Sequence, residues 1–231
     1  MTNFDSSRRS AIARVLLVAV GMTGFSLNAA AGAYEDFLRA LRLDDVATLR
    51  RLQQRGFDFN TVDENGLAPL LLALKLDSLR AAEFLIQQAG PDLDAVNASG
   101  ENALMLAALR GHVDLMRQMI QQGAEVNKPG WTPLHYAATN ASADSTTMVQ
   151  LLLDAHAYID AASPNESTPL MMAARYGHPD SVRLLLESGA DVTLQNQQGL
   201  TALEFAAGAG RKDIADPIRR ALRARTGPAT W

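Results

Sequence analysis

One eight-residue phrase, Trp131-Thr132-Pro133-Leu134-His135-Tyr136-Ala137-Ala138, returns in weaker form on both sides of itself. Copies begin at Leu67-Ala68-Pro69-Leu70, Asn102-Ala103-Leu104, Thr168-Pro169-Leu170-Met171-Met172-Ala173-Ala174 and Thr201-Ala202-Leu203-Glu204-Phe205-Ala206. The proline position of each copy falls at residues 69, 103, 133, 169 and 202, so the steps are 34, 30, 36 and 33. A copy this short cannot bury its own apolar face. It must stack on its neighbours, and the chain must be a quasi-linear array. The uneven steps have local causes: the linker before Thr132 is shortened, and residues 139–147 carry an enlarged loop between two helices of one copy.

Within a copy the residues spell out two helices. Thr132 offers an oxygen to the first helical N–H groups, Pro133 lacks only an N–H that would have no helical partner, and Leu134 enters the core. The phrase Thr-Pro-Leu-His-x-Ala on a period of about 33 residues marks the ankyrin repeat, and at these residues the chain resembles that family. The resemblance implies an all-α solenoid of stacked helix-turn-helix units joined by short hairpin fingers. The predicted units are 34–62, 63–96, 97–128, 129–161, 162–194 and 195–225, with 34–62 a charged N-terminal cap and 226–231 a disordered tail. Pro217 is expected to bend or delay the last helix. Two positions where the family has glycine carry other residues, His156 after a second helix and Asn165-Glu166 in a finger. At His156 a non-glycine must accept the left-handed region. The step of 34 implies one extra residue ahead of Pro91-Asp92 in the second unit.

The first thirty-odd residues follow a different rule. Arg8, Arg9 and Arg14 precede an apolar run over 15–27, followed by Ala29-Ala30-Ala31-Gly32-Ala33. That is the pattern of a secretory signal peptide, predicted over 1–33. The run is shorter than the roughly 20 residues a bilayer span needs, so removal is expected, with no stable membrane span afterwards. Cleavage after Ala31 and cleavage after Ala33 both satisfy the small-residue rule, and Ser7-Arg8-Arg9 leaves the twin-arginine route open beside the general one. The expected address is the periplasm, with full secretion as the alternative.

Charge and composition narrow the chemistry. A formal net charge of −4 argues against nucleic acid as a partner, and the absence of cysteine removes disulfides, thiolate nucleophiles and cysteine-based metal sites. The four histidines each occupy a place the repeat explains, and no two lie within four residues of each other. No phosphate loop, G-x-S-x-G or H-E-x-x-H is present in the sequence. No catalytic residue, cofactor or metal is therefore predicted, and the chain is read as a monomeric, non-catalytic module that binds another protein.

Partners of the family dock on the concave side, made by finger tips and the outer face of each first helix. Carried over position by position, that surface includes Glu64, Asn65, Leu67, Lys75, Glu101, Arg110, Trp131, Asn140, Arg175 and Tyr176. Trp131 is the expected anchor, because Trp, Tyr and Arg dominate binding hot spots; the competing reading packs it over the shortened finger beside Pro129. The basic final helix reads as a solvated cap. The leading functional expectation is a scaffold or regulator of an envelope protein. The alternatives are an accessory factor for an exported stress-defence enzyme and, third, an enzyme in its own right.

Overall fold

The computed structural model describes residues 27–226, and among them there are helices and turns but no strand. The helices are α1 (Leu27–Arg42), α2 (Val46–Gln54), α3 (Pro69–Lys75), α4 (Leu79–Phe84, continued by a π turn Leu85–Ala89), α5 (Ala103–Arg110), α6 (Val113–Gln121), α7 (Pro133–Thr139), α8 (Asp144–Asp154), α9 (Pro169–Tyr176), α10 (Pro179–Glu187), α11 (Ala202–Gly208) and α12 (Lys212–Thr226). They form an all-α repeat solenoid. Every copy of the eight-residue phrase starts a first helix at its proline position, as the N1 rule for proline requires. Residues 1–26 of the expected signal peptide and 227–231 of the tail lie outside the described residues. Both candidate cleavage positions, Ala31 and Ala33, fall within α1.

The chain divides into two compact units, one through Ala103 and the other Leu104–Trp231. The first unit is knit by aromatic rings. Phe37 of α1 lies 5.0 Å from Phe57 and 5.7 Å from Phe59, and Phe59 reaches Phe84 of α4 at 5.7 Å. Phe37, Phe59 and Phe84 are buried with Leu41, Leu49, Leu70, Leu71, Leu74 and Leu85. Each such side chain stabilises the fold by about 1.5–3 kcal/mol relative to exposure. Asp44, one of the charges of the N-terminal cap, has work inside the unit. It sits at φ 51° between α1 and α2, and its carboxylate accepts the Ala81 N–H at 2.6 Å and the Arg80 N–H at 3.3 Å, closing the start of α4. The extra residue expected before Pro91 is absorbed in the π turn Leu85–Ala89, the usual way a helix takes up one surplus residue.

In the second unit the first helices α7, α9 and α11 pack side by side, and behind them α6, α8, α10 and α12 do the same. Close approach is possible because Ala107, Ala108, Ala137, Ala138, Ala173, Ala174 and Ala206 are fully buried. Leu104, Met116, Leu134, Met148, Leu152, Leu170, Val182, Leu185 and Ile218 complete a dry interior. Two of its buried hydroxyls are matched between helices: Ser145 Oγ donates to the Ala137 carbonyl at 2.8 Å and lies 2.7 Å from Ser181 Oγ. Pro217 does not delay α12, which begins five residues before it at Lys212 and continues through it. The helix forgoes one backbone bond there, while Ile214, Ala215 and Ile218 are buried around it.

The two glycine substitutes behave as their positions imply. His156 stands at φ 64° and Glu166 at φ 62°, where other copies have Gly123, Gly189, Gly66, Gly100 and Gly199, all at positive φ. For a side chain the left-handed region costs about 1–2 kcal/mol, against about 0.5–1 kcal/mol of extra chain entropy that glycine loses on folding. His156→Gly is therefore expected to stabilise the protein by about 0.5–1 kcal/mol in a urea titration.

Candidate protein-binding face

Four fingers are closed by the side chain of their first residue. Asp63 Oδ1 accepts the N–H groups of Asn65 and Leu67 at 2.8 Å, and Asn97 Oδ1 accepts those of Ser99 at 2.9 Å and Glu101 at 3.0 Å. Asn196 Oδ1 does the same for Gln198 and Leu200 at 3.0 Å, while Ser163 Oγ accepts the Ser167 N–H at 3.0 Å. These residues fold their own loop, as Asx and Ser turns do. The tips are thereby fixed in place: Glu64 and Asn65 are exposed in the first unit, and Pro164, Asn165 and Glu166 in the second.

The finger before α7 has no such closure. It is reduced to Lys128-Pro129-Gly130, with Gly130 at φ 81° and Lys128 Nζ donating to the Trp131 carbonyl at 3.4 Å. Trp131 stands at the break, half-buried, its ring edge-on to His135 with centroids 5.2 Å apart and planes at 79°.

His135 is a structural residue. Its side chain is 1% exposed, Nδ1 accepts the Thr132 N–H at 3.2 Å and lies 2.9 Å from Thr132 Oγ1, and Nε2 lies 2.9 Å from the Ser167 carbonyl of the next finger. A carbonyl can only accept, so Nε2 carries the proton and the ring is neutral. Burial pushes its pKa down to about 4, outweighing the carbonyl contacts that favour the charged form. His135 thus ties a first-helix start to its neighbouring finger and supports Trp131 from beneath.

The ten residues singled out from the sequence divide between the two units. Glu64, Asn65, Leu67, Lys75 and Glu101 belong to the first; of these Glu64, Asn65 and Lys75 are exposed and Leu67 and Glu101 half-buried, with Glu101 accepting from Asn97 Nδ2 at 2.7 Å. Arg110, Trp131, Asn140, Arg175 and Tyr176 belong to the second, where Arg110, Arg175 and Tyr176 are exposed and the Arg175 guanidinium lies 5.2 Å from the Tyr176 ring centroid. Asn140 has an internal duty besides. Its amide donates to the carbonyls of Ala108 at 3.2 Å and Leu109 at 3.1 Å, closing the end of α5. Arg110, Asn140 and Tyr176 share one place in the repeat, eight residues after the N-cap position.

Sequence periodicity did not single out Leu106, Tyr136 and Met172, at the fourth position after that N-cap. All three are half-buried on first helices of the second unit. Among the described residues no group of three His, Asp or Glu side chains is placed to hold a metal ion, and no helix is long and apolar enough to cross a membrane.

The family model for ankyrin repeats in three copies matches residues 37–129, 89–163 and 140–219. The chain belongs to the ankyrin repeat family. Human transient receptor potential cation channel subfamily A member 1 is 30% identical over 200 residues, covering 81% of this chain and 18% of that protein. Mouse ankyrin repeat and SOCS box protein 16 is 39% identical over 156 residues, covering 66% of this chain and 34% of the relative. The ankyrin chain thus spans only a minor part of either relative. Among solved structures, a chain in the complex of the predatory endopeptidase Bd0816 from Bdellovibrio bacteriovorus with the immunity protein Bd3460 is 30% identical with a TM-score of 0.68, over 80% of this chain and 96% of that one. Ankyrin repeats are protein-protein interaction modules and are typically non-catalytic.

Proposed function

We propose that this ankyrin protein acts in the periplasm as a monomer, gripping one envelope protein through the first-helix face around Trp131 and scaffolding or regulating it without catalysis of its own. The observation that carries the reading is the second unit's set of Trp131, Tyr176, Arg110 and Arg175, with Leu106, Tyr136 and Met172 half-buried on the same first helices. Exposed aromatic and Arg side chains next to a partly desolvated apolar floor are the composition of a hot spot. The leader-like segment supports the address.

One solved complex favours a more specific form of regulation. The similar chain is a member of an endopeptidase–immunity protein pair, so a chain of this fold and nearly this extent works in contact with a second protein. By that analogy the partner is an exported enzyme, and the ankyrin chain restrains it.

The test begins with a pull-down from the envelope fraction to obtain a stoichiometric partner, followed by titration of purified components. Trp131→Ala is expected to keep its far-UV circular dichroism and to lose about 2 kcal/mol of binding, a factor of about 30 in Kd. Trp131→Phe should recover most of that loss. Unchanged affinity of a folded Trp131→Ala variant removes Trp131 as the anchor.

A further inference from the structure

In the first unit the second helices α2 and α4 pack as neighbours, and a groove of about 630 Å³ lies between them. α2 lines it with Val46, Arg50 and Gln54, one residue per turn along a single face. α4 and its π turn line it with Arg80, Phe84 and Gln87 in the same manner. Val46 is half-buried and Phe84 buried, so the base is apolar, whereas Arg50, Gln54, Arg80 and Gln87 are exposed on the walls. The groove's one carboxylate, Glu83, accepts from Gln87 Nε2 at 3.1 Å. Among the described residues neither guanidinium is committed to a carboxylate. Arg80 serves the fold through its backbone N–H, which donates to Asp44 Oδ2 at 3.3 Å, and its side chain is left to the groove.

The two cations stand on opposite walls at different heights. Counted from the helix starts at Val46 and Leu79, Arg50 is four residues along and Arg80 one. The offset of three residues is roughly 4.5 Å at about 1.5 Å of rise per residue. Neighbouring residues of an extended chain are about 3.3 Å apart and point to opposite sides. Gln54 and Gln87 each lie eight residues from their helix starts, level with each other and about 6 Å beyond Arg50. That is about two further residues of extended chain. Gln87 is brought to this height by the π turn, a device frequent at functional sites.

We infer that this groove takes an extended acidic segment of a protein, with two adjacent carboxylate side chains on Arg50 and Arg80 and the main chain that follows against the carboxamide of Gln54. A guanidinium offers a carboxylate two parallel hydrogen bonds, and a carboxamide can both donate to and accept from a peptide group. The exposed charged and amide walls select a polar chain over an apolar small molecule, and their unmatched charge selects acids over bases. The site belongs to the first unit and does not rest on the docking face assigned to Trp131.

Fluorescence anisotropy with the full mature chain and three labelled hexapeptides tests the assignment. The first peptide has two adjacent aspartates, the second has one alanine between them, and the third has lysines in place of the adjacent aspartates. The first should bind most tightly. The second should bind at least about fivefold more weakly, since both its acids point to one wall, and the third should not bind. Raising salt from low to a few hundred millimolar should weaken the first peptide by about tenfold or more. R50E/R80E should lose at least about tenfold, with R50Q/R80Q as the milder pair should the reversals fail to fold. R220E/R223E, the same charge change on exposed positions of α12, and Trp131→Ala should each leave affinity within about twofold. Three results would overturn the proposal: equal affinity for adjacent and separated aspartates, equal losses in the two charge reversals, or displacement of the first peptide by an equal concentration of inorganic phosphate.

Discussion

Gly177→Ala is expected to cost about 3 kcal/mol and to lower Tm by roughly 6–12 °C, the largest loss for a one-methyl change in this chain. The reason is not backbone conformation. Gly177 has φ −77° and ψ 177°, which any residue can adopt. A Cβ built there would stand 2.1 Å from the Ala138 carbonyl oxygen, 2.9 Å from Ala173 Cα and 3.1 Å from the Ala173 oxygen. All three are backbone atoms, so relief requires separating two stacked helices, α7 and α9, whose buried alanines let them approach closely. Gly208→Ala provides the control, since nothing lies within 4 Å of its Cβ position and its φ is not positive. That variant should remain within about 0.5 kcal/mol of wild type or exceed it. Thermal melts of the two proteins decide the matter, and similar losses for both would show that the helices do not meet as tightly as described.

The second large effect is a dependence on pH set by His135. Its folded pKa of about 4 lies below the ordinary value of 6.5, so between those values the unfolded chain binds a proton that the folded chain refuses. Stability therefore falls as pH drops from about 6.5 to about 4 and is independent of this group above that window. The loss is on the order of 3 kcal/mol, at about 1.4 kcal/mol per pKa unit. Urea titrations at intervals across the window should show the decline in wild type, and His135→Gln should flatten it. Glutamine cannot gain a proton there, although the variant begins from a lower stability because it cannot reproduce both ring contacts. A wild-type curve with no slope between pH 6.5 and 4 contradicts the buried neutral imidazole.

Much of the fold is legible from local chemistry. Proline at N1 and a threonine or asparagine before it locate the first helices, and the missing glycine correctly marks His156 as left-handed. What escaped is contact between repeats. Gly177 aligns with Gly111 and Gly210, which are at φ 80° and 70°, and from sequence all three look like the same turn residue; only the distance to Ala138 reveals a different constraint. Asn140 reads as a free polar group at the end of a helix, yet its amide is committed to carbonyls 31 and 32 residues away. Pro217 was expected to bend or delay its helix, yet the helix starts before it and runs through it, with Ile214, Ala215 and Ile218 buried around it.

The proposed binding face is legible in the same uneven way. Its Trp, Tyr and Arg stand out by type, whereas Leu106, Tyr136 and Met172 hide within the apolar period because half-burial at the edge of a core leaves no mark on a pattern of apolar spacing. Which side chains on the face are free to meet a partner depends on the hydrogen bonds already made across repeats, and those connect residues that no local motif joins.

A photo-crosslinking scan against the purified partner tests the central claim most directly. A photoreactive residue is placed in turn at Trp131 and Tyr176 on the first-helix face, and at Gln150 and Arg183 on the second helices. The account predicts adducts from the first pair and none from the second. Adducts confined to Gln150 and Arg183 would contradict it.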